Sequence, residues 1–457
     1  MAMGGGTPAP TISSTSHIIV PEEESAVASS VYVHIPFCRK RCFYCDFPIV
    51  AVGERTTEAK SAHIDAGMTD YVDLVCREIR MSAKVDSTQP LKTVFFGGGT
   101  PSLLPPSLLL RILETLRTQL GFDSSGVEIS MEMDPGTFDV HTLRQLMDGG
   151  LNRVSMGVQS FNHELLKSCG RAHGLAEVYE AIEAIRSSGL RNWSLDLISS
   201  LPNQTLQHWE HSIKEAVLAS PAHISVYDLQ IEEGTLFNKW YKAGEFPLPS
   251  DDKAAEFYRI ASKKLREAGF AHYEISNYAK EGYECMHNLV YWKNLPYFAF
   301  GLGSTSYIGG QRFSRPRTFK EYRKFVERFE GMQGSLDCPK DSREERALDT
   351  VMLSLRLARG LQIREFIEKF GRDVCDVMCK ALIPFASSGH VVFMDVDKQI
   401  VNVEALQRLF EVRNGNHDSE EFDDHTRLAY VRLTDPEGFL LSNEVIASIF
   451  SALPSGG

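Results

Sequence analysis

The sequence predicts an α/β protein with a mostly parallel sheet, followed by a smaller and mainly helical C-terminal domain. Short β-branched runs alternate with amphipathic stretches of helical period from about residue 30 to residue 232, and this alternation stops after Ile231. Five of the strand ends also carry glycine-rich or polar motifs. A βαβα order demands a parallel sheet with helices outside it, either an open doubly wound sheet or a barrel or partial barrel.

Six segments have the pattern of strands and five have the pattern of the helices between them. The strand candidates are SVYVHIP, KTVFFGGGT, GVEISMEMDP, RVSMGVQ, NWSLDLISS and HISVYDLQI. The helix candidates are DYVDLVCREIRMSA, LLLRILETLRTQL, VHTLRQLMDGG, AEVYEAIEAIRSSG and HWEHSIKEAVLAS. Because chemistry in such folds lies at the carboxyl ends of the strands, we expect the functional site in the loops that follow them.

Changes in composition divide the chain into four predicted parts. Residues 1–29 are rich in Gly, Pro, Ser and Thr and predict a disordered tail. Residues 30–280 form the strand–helix unit, and residues 281–340 form a connecting segment that contains HNLVYW. Residues 341–457 contain three helix candidates and a possible hairpin, VVFMDVDKQIVNV, which together resemble a small winged-helix module. We interpret this module as a packing or partner-binding unit.

Composition excludes several classes of protein. The 457 residues carry a net charge of −12, which disfavours a nucleic-acid partner because phosphate binding needs clustered Lys and Arg. No apolar run approaches the roughly 20 residues of a membrane span. Nine cysteines are too few for a disulfide scaffold in so long a chain. The first 29 residues contain no Lys or Arg and no apolar core, so no targeting peptide is visible.

Three cysteines follow the first strand candidate in the stretch CRKRCFYCDF. Cys38, Cys42 and Cys45 are separated by steps of four and three residues, so a single loop can wrap them around a compact inorganic core. Structural zinc normally takes four N or S ligands in two pairs, and no second CxxC lies nearby. A cubane iron–sulfur cluster normally uses four thiolates, and three would leave one iron open to a ligand. The spacing favours a cluster over zinc or a redox CxxC.

CxxxCxxC in the loop after the first strand of a βα unit resembles the radical SAM superfamily. The match runs from Tyr32 over nearly the whole remaining chain, and it is most similar to the HemW haem-chaperone branch of the oxygen-independent coproporphyrinogen III oxidase family. The segments that carry it are YVHIPFC, CDF, FFGGGTPSLL, EMDP, RVSMGVQSF, GRAH, DLISSLPNQ, YEISNYA and HNLVYW. The resemblance implies a partial (β/α)6 barrel of the TIM type, a [4Fe–4S] cluster on the three cysteines, and S-adenosylmethionine (SAM) chelated by the open iron.

The resemblance also implies a set of SAM-contacting residues: Tyr32, Tyr44, Gly98, Gly99, Thr100, Glu132, Gln159, Arg171 and Asp196. In GGGTP, glycines permit backbone N–H groups to approach a polar ligand, although a glycine triplet also suits a tight turn. Core packing explains Tyr32 and Tyr44 equally well, and pairing with a carboxylate explains Arg171 equally well. Asp196 lies in an apolar strand, where an unpaired carboxylate would be costly, so we expect it to have a partner.

HNLVYW is the second distinctive segment. If it is helical, His287 and Tyr291 share a face and can address one planar ligand, since imidazole is a normal axial ligand of haem iron. Considered alone, His287 fits a structural histidine and Trp292 a core residue. The resemblance to the HNxxYW segment of HemW-type proteins reverses this interpretation and implies a haem site at His287, Tyr291 and Trp292, with His287 as the candidate iron ligand.

Two functions compete for this sequence. The resemblance implies a protein that binds haem, the cluster and SAM and passes haem to acceptor proteins. The alternative is an oxygen-independent coproporphyrinogen III oxidase, a radical SAM enzyme of porphyrin biosynthesis. Those oxidases carry CxxxCxxCxC, whereas this chain has Phe47 at the last position, so we do not expect that activity. A radical enzyme acting on RNA is disfavoured by the acidic composition. The resemblance allows the cytoplasm or, alternatively, a chloroplast or mitochondrion.

Overall fold

The structure is a computed structural model that describes residues 27–54, 56–83, 89–334, 341–411 and 428–453. Most of the predicted disordered tail, residues 1–29, lies outside these residues. Of its last three residues, Ala28 is buried, and the backbone carbonyl of Ser29 accepts a hydrogen bond from the N–H of Lys92 at 2.7 Å. Residues 27–29 therefore belong to the fold.

The elements are numbered here in chain order. The strands are β1 (Ser30–Ile35), β2 (Phe37–Cys38), β3 (Val50–Ala51), β4 (Thr93–Gly98), β5 (Glu128–Met133), β6 (Arg153–Gln159), β7 (Trp193–Ser199), β8 (His223–Asp228), β9 (Ala271–Glu274), β10 (Asn277–Ala279), β11 (Phe298–Phe300), β12 (Thr305–Ile308), β13 (Gln311–Ser314), β14 (Leu361–Gln362), β15 (Val391–Asp395) and β16 (Leu428–Leu433). The helices are α1 (Glu58–Ser82), α2 (Pro106–Leu120), α3 (Val140–Asp148), α4 (His163–Ser168), α5 (Leu175–Ser188), α6 (Leu206–Ala219), α7 (Leu236–Trp240), α8 (Asp251–Glu267), α9 (Met286–Trp292), α10 (Phe319–Gly331), α11 (Arg343–Leu355), α12 (Ile363–Ser387), α13 (Val403–Glu411), α14 (Glu437–Leu440) and α15 (Ser442–Ala452).

Parallel strands form the central sheet, in the order β11-β1-β4-β5-β6-β7-β8-β10-β9. The six predicted strands are β1 and β4 to β8, and every pairing between two of these six strands is parallel. β11 adds in parallel beside β1, and β10 and β9 close the other side in antiparallel pairing. The sheet is a partial (β/α)6 barrel of the TIM type, which confirms the predicted α/β fold.

The strands are apolar along most of their length because both faces of the sheet are covered. β1 and β4 each bury five of their six residues. The outer helices begin at side-chain caps, as α3 does where Asp139 accepts from the N–H of Thr142 at 2.7 Å. α3 ends at Gly149, as its sequence predicts, and buries Leu143 and Leu146 against the barrel.

The C-terminal helices α11, α12, α13 and α15 pack with the small sheet β14-β16-β15 around a core of their own. The predicted hairpin VVFMDVDKQIVNV is reduced to a turn with one bridge, between Met394 and Ile400, because β15 pairs with β16 instead. This mainly helical, winged-helix-like unit is joined to α8 of the barrel, where Arg259 donates to Glu437 at 2.7 and 2.8 Å. None of the helices in the described ranges is long and apolar enough to cross a membrane.

Candidate functional site

The three cysteines lie on one loop at the carboxyl end of β1. β2 and β3 pair in parallel and close the loop at its base, where the N–H of Val52 donates to the carbonyl of Cys38 at 2.9 Å. Inside the loop, Arg41 donates to the carbonyl of Cys45 at 3.0 Å. All three cysteines are free thiols and partly exposed. The loop therefore presents three available sulfur ligands on one short segment.

The glycine-rich turn after β4 packs against this loop. Gly98 has φ +112°, which favours glycine, and a Cβ on Gly99 would lie 2.7 Å from the backbone of Pro36. The N–H of Gly98 donates to Glu132 at 2.9 Å, and the N–H groups of Gly99 and Thr100 donate to backbone carbonyls at 2.8 Å. In this conformation these N–H groups are not free for a ligand, because Glu132 and the backbone that leads into the cysteine loop accept them.

Two side chains bond directly to the cysteine sulfurs. The hydroxyl of Thr100 donates to Sγ of Cys38 at 3.5 Å, and the guanidinium of Arg171 donates to Sγ of Cys42 at 3.4 Å. Burial raises the pKa of the Cys38 thiol to about 12. Hydrogen bonds from a hydroxyl and a guanidinium stabilise sulfur in its charged form, which is the form that binds metal.

Arg171 also forms an ion pair with Asp134 at 2.6 Å and donates to the carbonyl of Gly157 at 2.9 Å. The carboxylate-pairing role left open by the sequence is thus present. One guanidinium links the cysteine loop to the ends of β5 and β6, so Arg171 fixes the position of the cysteine loop against the barrel.

Strand-end polar side chains form the opposite wall of the site. Asp196 accepts from Ser155 at 3.1 Å and from Ser194 at 3.2 Å, which confirms that this carboxylate has partners inside an apolar strand. Burial raises the pKa of Asp196, and it raises the pKa of Glu132 to about 8. These carboxyl groups are therefore desolvated acceptors next to the cysteine loop.

A cavity of about 420 Å³ lies between the cysteine loop and these strand ends. Its lining includes eleven of the residues singled out in the sequence: Cys38, Cys42, Cys45, Tyr44, Gly98, Gly99, Thr100, Glu132, Gln159, Arg171 and Asp196. Phe47 also lines the cavity and is 57% exposed. The volume lies within the range of small-molecule sites.

Tyr32 lies outside this lining. Its ring stacks on Phe95 with centroids 6.2 Å apart, and its hydroxyl bonds to Nδ1 of His34 at 3.2 Å. A Cβ on Gly97 would come within 2.9 Å of the Tyr32 ring. The tyrosine packs in the layer beneath the cavity, in agreement with the core-packing alternative.

The candidate haem residues also lie apart from the cavity. His287 is 1% exposed, and its ring stacks on Phe95 with centroids 5.2 Å apart. Nδ1 of His287 bonds to the hydroxyl of Thr93 at 2.7 Å, and Nε2 bonds to the hydroxyl of Tyr291 at 2.8 Å. Burial lowers the pKa of the imidazole to about 3, so the ring is neutral. In this conformation both nitrogens are occupied, so iron ligation requires one of these two hydrogen bonds to break.

Comparison with known proteins assigns the family. A model described as the Radical SAM superfamily matches residues 32–216, and one described as the HemN C-terminal domain matches residues 341–395. A heme chaperone HemW from Synechocystis is 40% identical over 430 residues, which cover 93% of this chain and 97% of the relative. The chain belongs to the HemW family.

Other comparisons agree with this assignment. The heme chaperone HemW from Bacillus subtilis is 35% identical over 360 residues, 79% of this chain and 92% of the relative. The solved coproporphyrinogen III oxidase (HemN) from Escherichia coli, a radical SAM enzyme, superposes with a TM-score of 0.71 at 21% identity over 93% of this chain and 90% of its own. At 21% identity this superposition shows that the two proteins share a fold and shows nothing about activity.

The residues of this HemW-family chain fit the cofactors that the radical SAM superfamily implies, a [4Fe–4S] cluster and SAM. Within the described residues, Oε1 of Gln159 and Nε of Arg171 are buried without a hydrogen-bond partner, and both residues line the cavity. Partnerless buried polar atoms at a cavity indicate a polar ligand that completes them. Gln159 also adopts φ +70°, an uncommon value for a side-chain-bearing residue that often marks a functional position.

Three further residues of this HemW-family site were not singled out in the sequence. Asp134, Ser155 and Tyr227 all line the cavity. Asp134 ends the EMD segment after β5, and Ser155 lies two residues before Gly157 on β6, on the same face. Period-two alternation along β6 could have identified Ser155.

A series of hydrogen bonds connects the cavity with the residue before α9. Ser194 donates to Asp196 and bonds to Nδ1 of His223 at 2.7 Å. Nε2 of His223 bonds to the hydroxyl of Tyr273 at 2.9 Å, and that hydroxyl accepts from the N–H of Cys285 at 3.3 Å. The HNLVYW helix and the cavity of this HemW-family chain thus share one buried polar network.

Replacing Glu132 with Gln is expected to raise the melting temperature of the ligand-free protein more at about pH 8 than at about pH 5. Burial raises the pKa of Glu132 from 4.5 to about 8, so the folded state favours the protonated carboxyl. The stability that this proton contributes is complete below the unfolded pKa and is lost as the pH rises toward 8. Gln keeps the acceptor for Gly98 and cannot ionise. Thermal unfolding at both pH values measures the effect, and equal shifts at the two values would contradict it.

Proposed function

We propose that this protein is a haem chaperone that binds a [4Fe–4S] cluster, SAM and haem and transfers the haem to acceptor proteins. The observation that carries the proposal is the convergence of three free thiols and the strand-end polar groups on one cavity of about 420 Å³. Membership of the HemW family supports the haem-handling part, since the curated relatives are heme chaperones by name.

Cys38, Cys42 and Cys45 are proposed as the cluster ligands. When bound, the cluster would supply electrons and an open iron that can hold SAM. The protein's own contribution is to fix the thiolates: Thr100 donates to Cys38, and Arg171 donates to Cys42. Hydrogen bonds to cluster sulfurs are one of the ways in which a protein sets a cluster's potential.

SAM is proposed to fill the remainder of the cavity. Glu132 and Asp196 offer buried carboxyl groups for the polar groups of SAM, and Gln159 offers an unpartnered carbonyl oxygen. Tyr44 lines the same space with an aromatic ring. Arg171 holds the loop through its terminal nitrogens, which bond to Asp134, Gly157 and Cys42. Its Nε has no partner and is proposed to donate to SAM.

Haem is proposed to bind at α9, with His287 as iron ligand and with Tyr291 and Trp292 beside the macrocycle. His287 is neutral, which suits iron ligation. The hydrogen bond between Nε2 and Tyr291 must open first. The proposal therefore includes a change of side-chain rotamer at His287 or Tyr291, since a displacement of the whole helix would carry both residues of α9 together. The seven residues of α9 are anchored at the start by Glu128, which accepts from the N–H groups of Met286 and His287 at 3.3 and 3.2 Å.

We do not propose oxidation of coproporphyrinogen III. Phe47 stands where the oxidases carry a further cysteine, and its apolar ring at the cavity wall cannot supply a thiol. The proposed partners are haem and haem-accepting proteins, and the proposed setting is the cytoplasm, with an organelle as the alternative.

A paired assay on anaerobically reconstituted protein tests the proposed function. The expected results are saturable binding of about one haem per chain and no conversion of coproporphyrinogen III in the presence of SAM and a reductant. A HemN-type oxidase run in parallel provides the positive control for turnover. Robust conversion by this protein would refute the chaperone proposal, and absence of saturable haem binding would do so as well.

A further inference from the structure

A second cavity, of about 330 Å³, lies between the end of α9 and the C-terminal unit. Its lining residues come from position 293 onward, whereas the cysteine loop lies near residue 40. Lys293, the residue that ends α9, lines one side. The other walls come from the end of α11, the start of α12 and the strands β15 and β16. The two cavities have no lining residue in common.

The lining of this cavity is strongly basic. It contains five cationic residues, Lys293, Arg359, Lys369, Lys398 and Arg432, and a single acidic one, Glu365. The whole chain has a net charge of −12, so the cavity reverses the charge of the molecule around it. Concentrating cations against the overall charge raises the local concentration of anions.

Within the part of the chain that the structure describes, three of these cations lack a carboxylate partner. Of the ion pairs formed among residues 27–54, 56–83, 89–334, 341–411 and 428–453, none involves Lys293, Arg359 or Arg432. Burial lowers the pKa of the Lys293 ammonium, and the cation of Arg359 lowers it further. Like charges brought together in this way repel each other, and an anion between them would relieve the repulsion.

Apart from its charged residues, the lining combines apolar and aromatic side chains with the polar side chains of Thr350, Ser354 and Gln362. Leu361 and Phe366 are 3% and 1% exposed, and Met394 and Tyr430 complete the surface beside the cations. Inorganic phosphate alone would leave Met394 and Tyr430, which are half-buried, without an apolar partner on their exposed sides. The lining therefore suits a molecule that has an apolar body as well as acidic groups.

We propose that this cavity binds a small amphipathic dianion, a molecule with two carboxylate or phosphate groups on a flat or apolar body. Arg359 and Arg432 present guanidinium groups to the acidic groups, since arginine suits both carboxylate and phosphate. Met394 and Tyr430, which are half-buried in the lining, contact the apolar body. Because Lys293 directly follows HNLVYW, the occupied cavity adjoins the α9 segment, but the proposal does not depend on haem ligation by His287.

The test is a binding titration of the full chain with two probes. Iron-free protoporphyrin IX carries two carboxylates on a flat apolar ring, and magnesium-free ATP carries phosphates on a nucleoside. We expect at least one to bind saturably and to bind more weakly at high salt. The double variant Arg359→Gln/Arg432→Gln is expected to weaken that binding by about tenfold or more, because two charge-assisted contacts are lost. The probe that responds identifies a porphyrin or a nucleotide source.

A matched control separates the cavity from general charge effects. Lys324→Gln/Arg328→Gln makes the same change in charge on exposed positions of α10, outside the cavity, and is expected to leave binding unchanged. If circular dichroism shows that the arginine variant does not fold, Lys293→Gln/Lys398→Gln at exposed lining positions serves instead. The proposal is overturned if neither probe binds the wild type, if the folded cavity variants bind as tightly as the wild type, or if the control weakens binding equally.

Discussion

Replacing Cys42 with Ala is expected to abolish the [4Fe–4S] cluster, with loss of its visible absorbance and of bound iron and sulfide after anaerobic reconstitution. Three thiolates hold the proposed cluster, so removing one leaves an iron without a protein ligand and opens a second corner to solvent. Cys42 is also the sulfur that receives the hydrogen bond from Arg171 at 3.4 Å. Its loss therefore also removes one of the contacts between the loop and the barrel. SAM binding that depends on the open iron should be lost with the cluster.

Cys169 provides a matched control for this prediction. It is 1% exposed, and its backbone carbonyl accepts from the N–H of Phe43 in the cysteine loop at 3.0 Å. Cys169→Ala removes a thiol close to the same loop but outside the CxxxCxxC spacing. The variant is expected to retain full iron and sulfide content. Retention of a complete cluster by Cys42→Ala, or its loss from a folded Cys169→Ala, would show that the ligand set is wrong.

The sequence predicts the position of the site because the carboxyl ends of parallel strands share one edge. Cys38 and Thr100 come after β1 and β4 of the same parallel sheet, although tens of residues separate them. Glu132 lies near the end of β5 and Asp196 in the middle of β7, and both line the same cavity as Cys38. In an open sheet and in a barrel alike, strands that alternate with helices run in the same direction, so their carboxyl ends meet at one edge. The gathering of these residues around one cavity follows from this rule.

The sequence does not reveal the level at which a side chain lies inside the barrel. The resemblance implies that Tyr32 contacts SAM, but a strand advances about 3.3 Å per residue, so positions along one strand lie in different layers of the barrel. Tyr32 lies six residues before Cys38, and its ring packs on Phe95 and His287 beneath the cavity. The packing that decides this comes from α9, about 250 residues away in the chain.

The glycine triplet illustrates a second limit. The sequence indicates that side chains are excluded after β4, and the close approach of Pro36 to Gly99 agrees. It cannot indicate what approaches, since a ligand and a neighbouring backbone impose the same requirement for glycine. Here the cysteine loop is the neighbour, and Gly98 bonds to Glu132. The turn thus positions the cysteine loop and the carboxyl group of Glu132, and it does not present free N–H groups in this conformation.

Replacing His287 with Ala is expected to lower haem affinity by more than the roughly 10–100-fold that the loss of an outer partner of a metal ligand costs. Replacing Tyr291 with Phe is expected to raise haem affinity about fivefold. Nε2 of His287 bonds to the Tyr291 hydroxyl at 2.8 Å, and this bond must break before the nitrogen can reach iron. Removing a bond worth about 1 kcal/mol lowers the cost of opening by that amount. Haem titrations followed by absorbance measure both changes.

Tyr297 supplies the control for the tyrosine variant, because its ring lies against that of Tyr291 with centroids 4.7 Å apart. Tyr297→Phe removes the same group from the neighbouring ring and should leave haem affinity unchanged. Melting curves are needed for His287→Ala, since Thr93 and Tyr291 both lose a buried partner. Unchanged haem affinity in a folded His287→Ala variant would reject His287 as the ligand. Weaker haem binding in Tyr291→Phe would mean that the tyrosine hydroxyl holds the bound haem, and that the hydrogen bond between His287 and Tyr291 does not have to open.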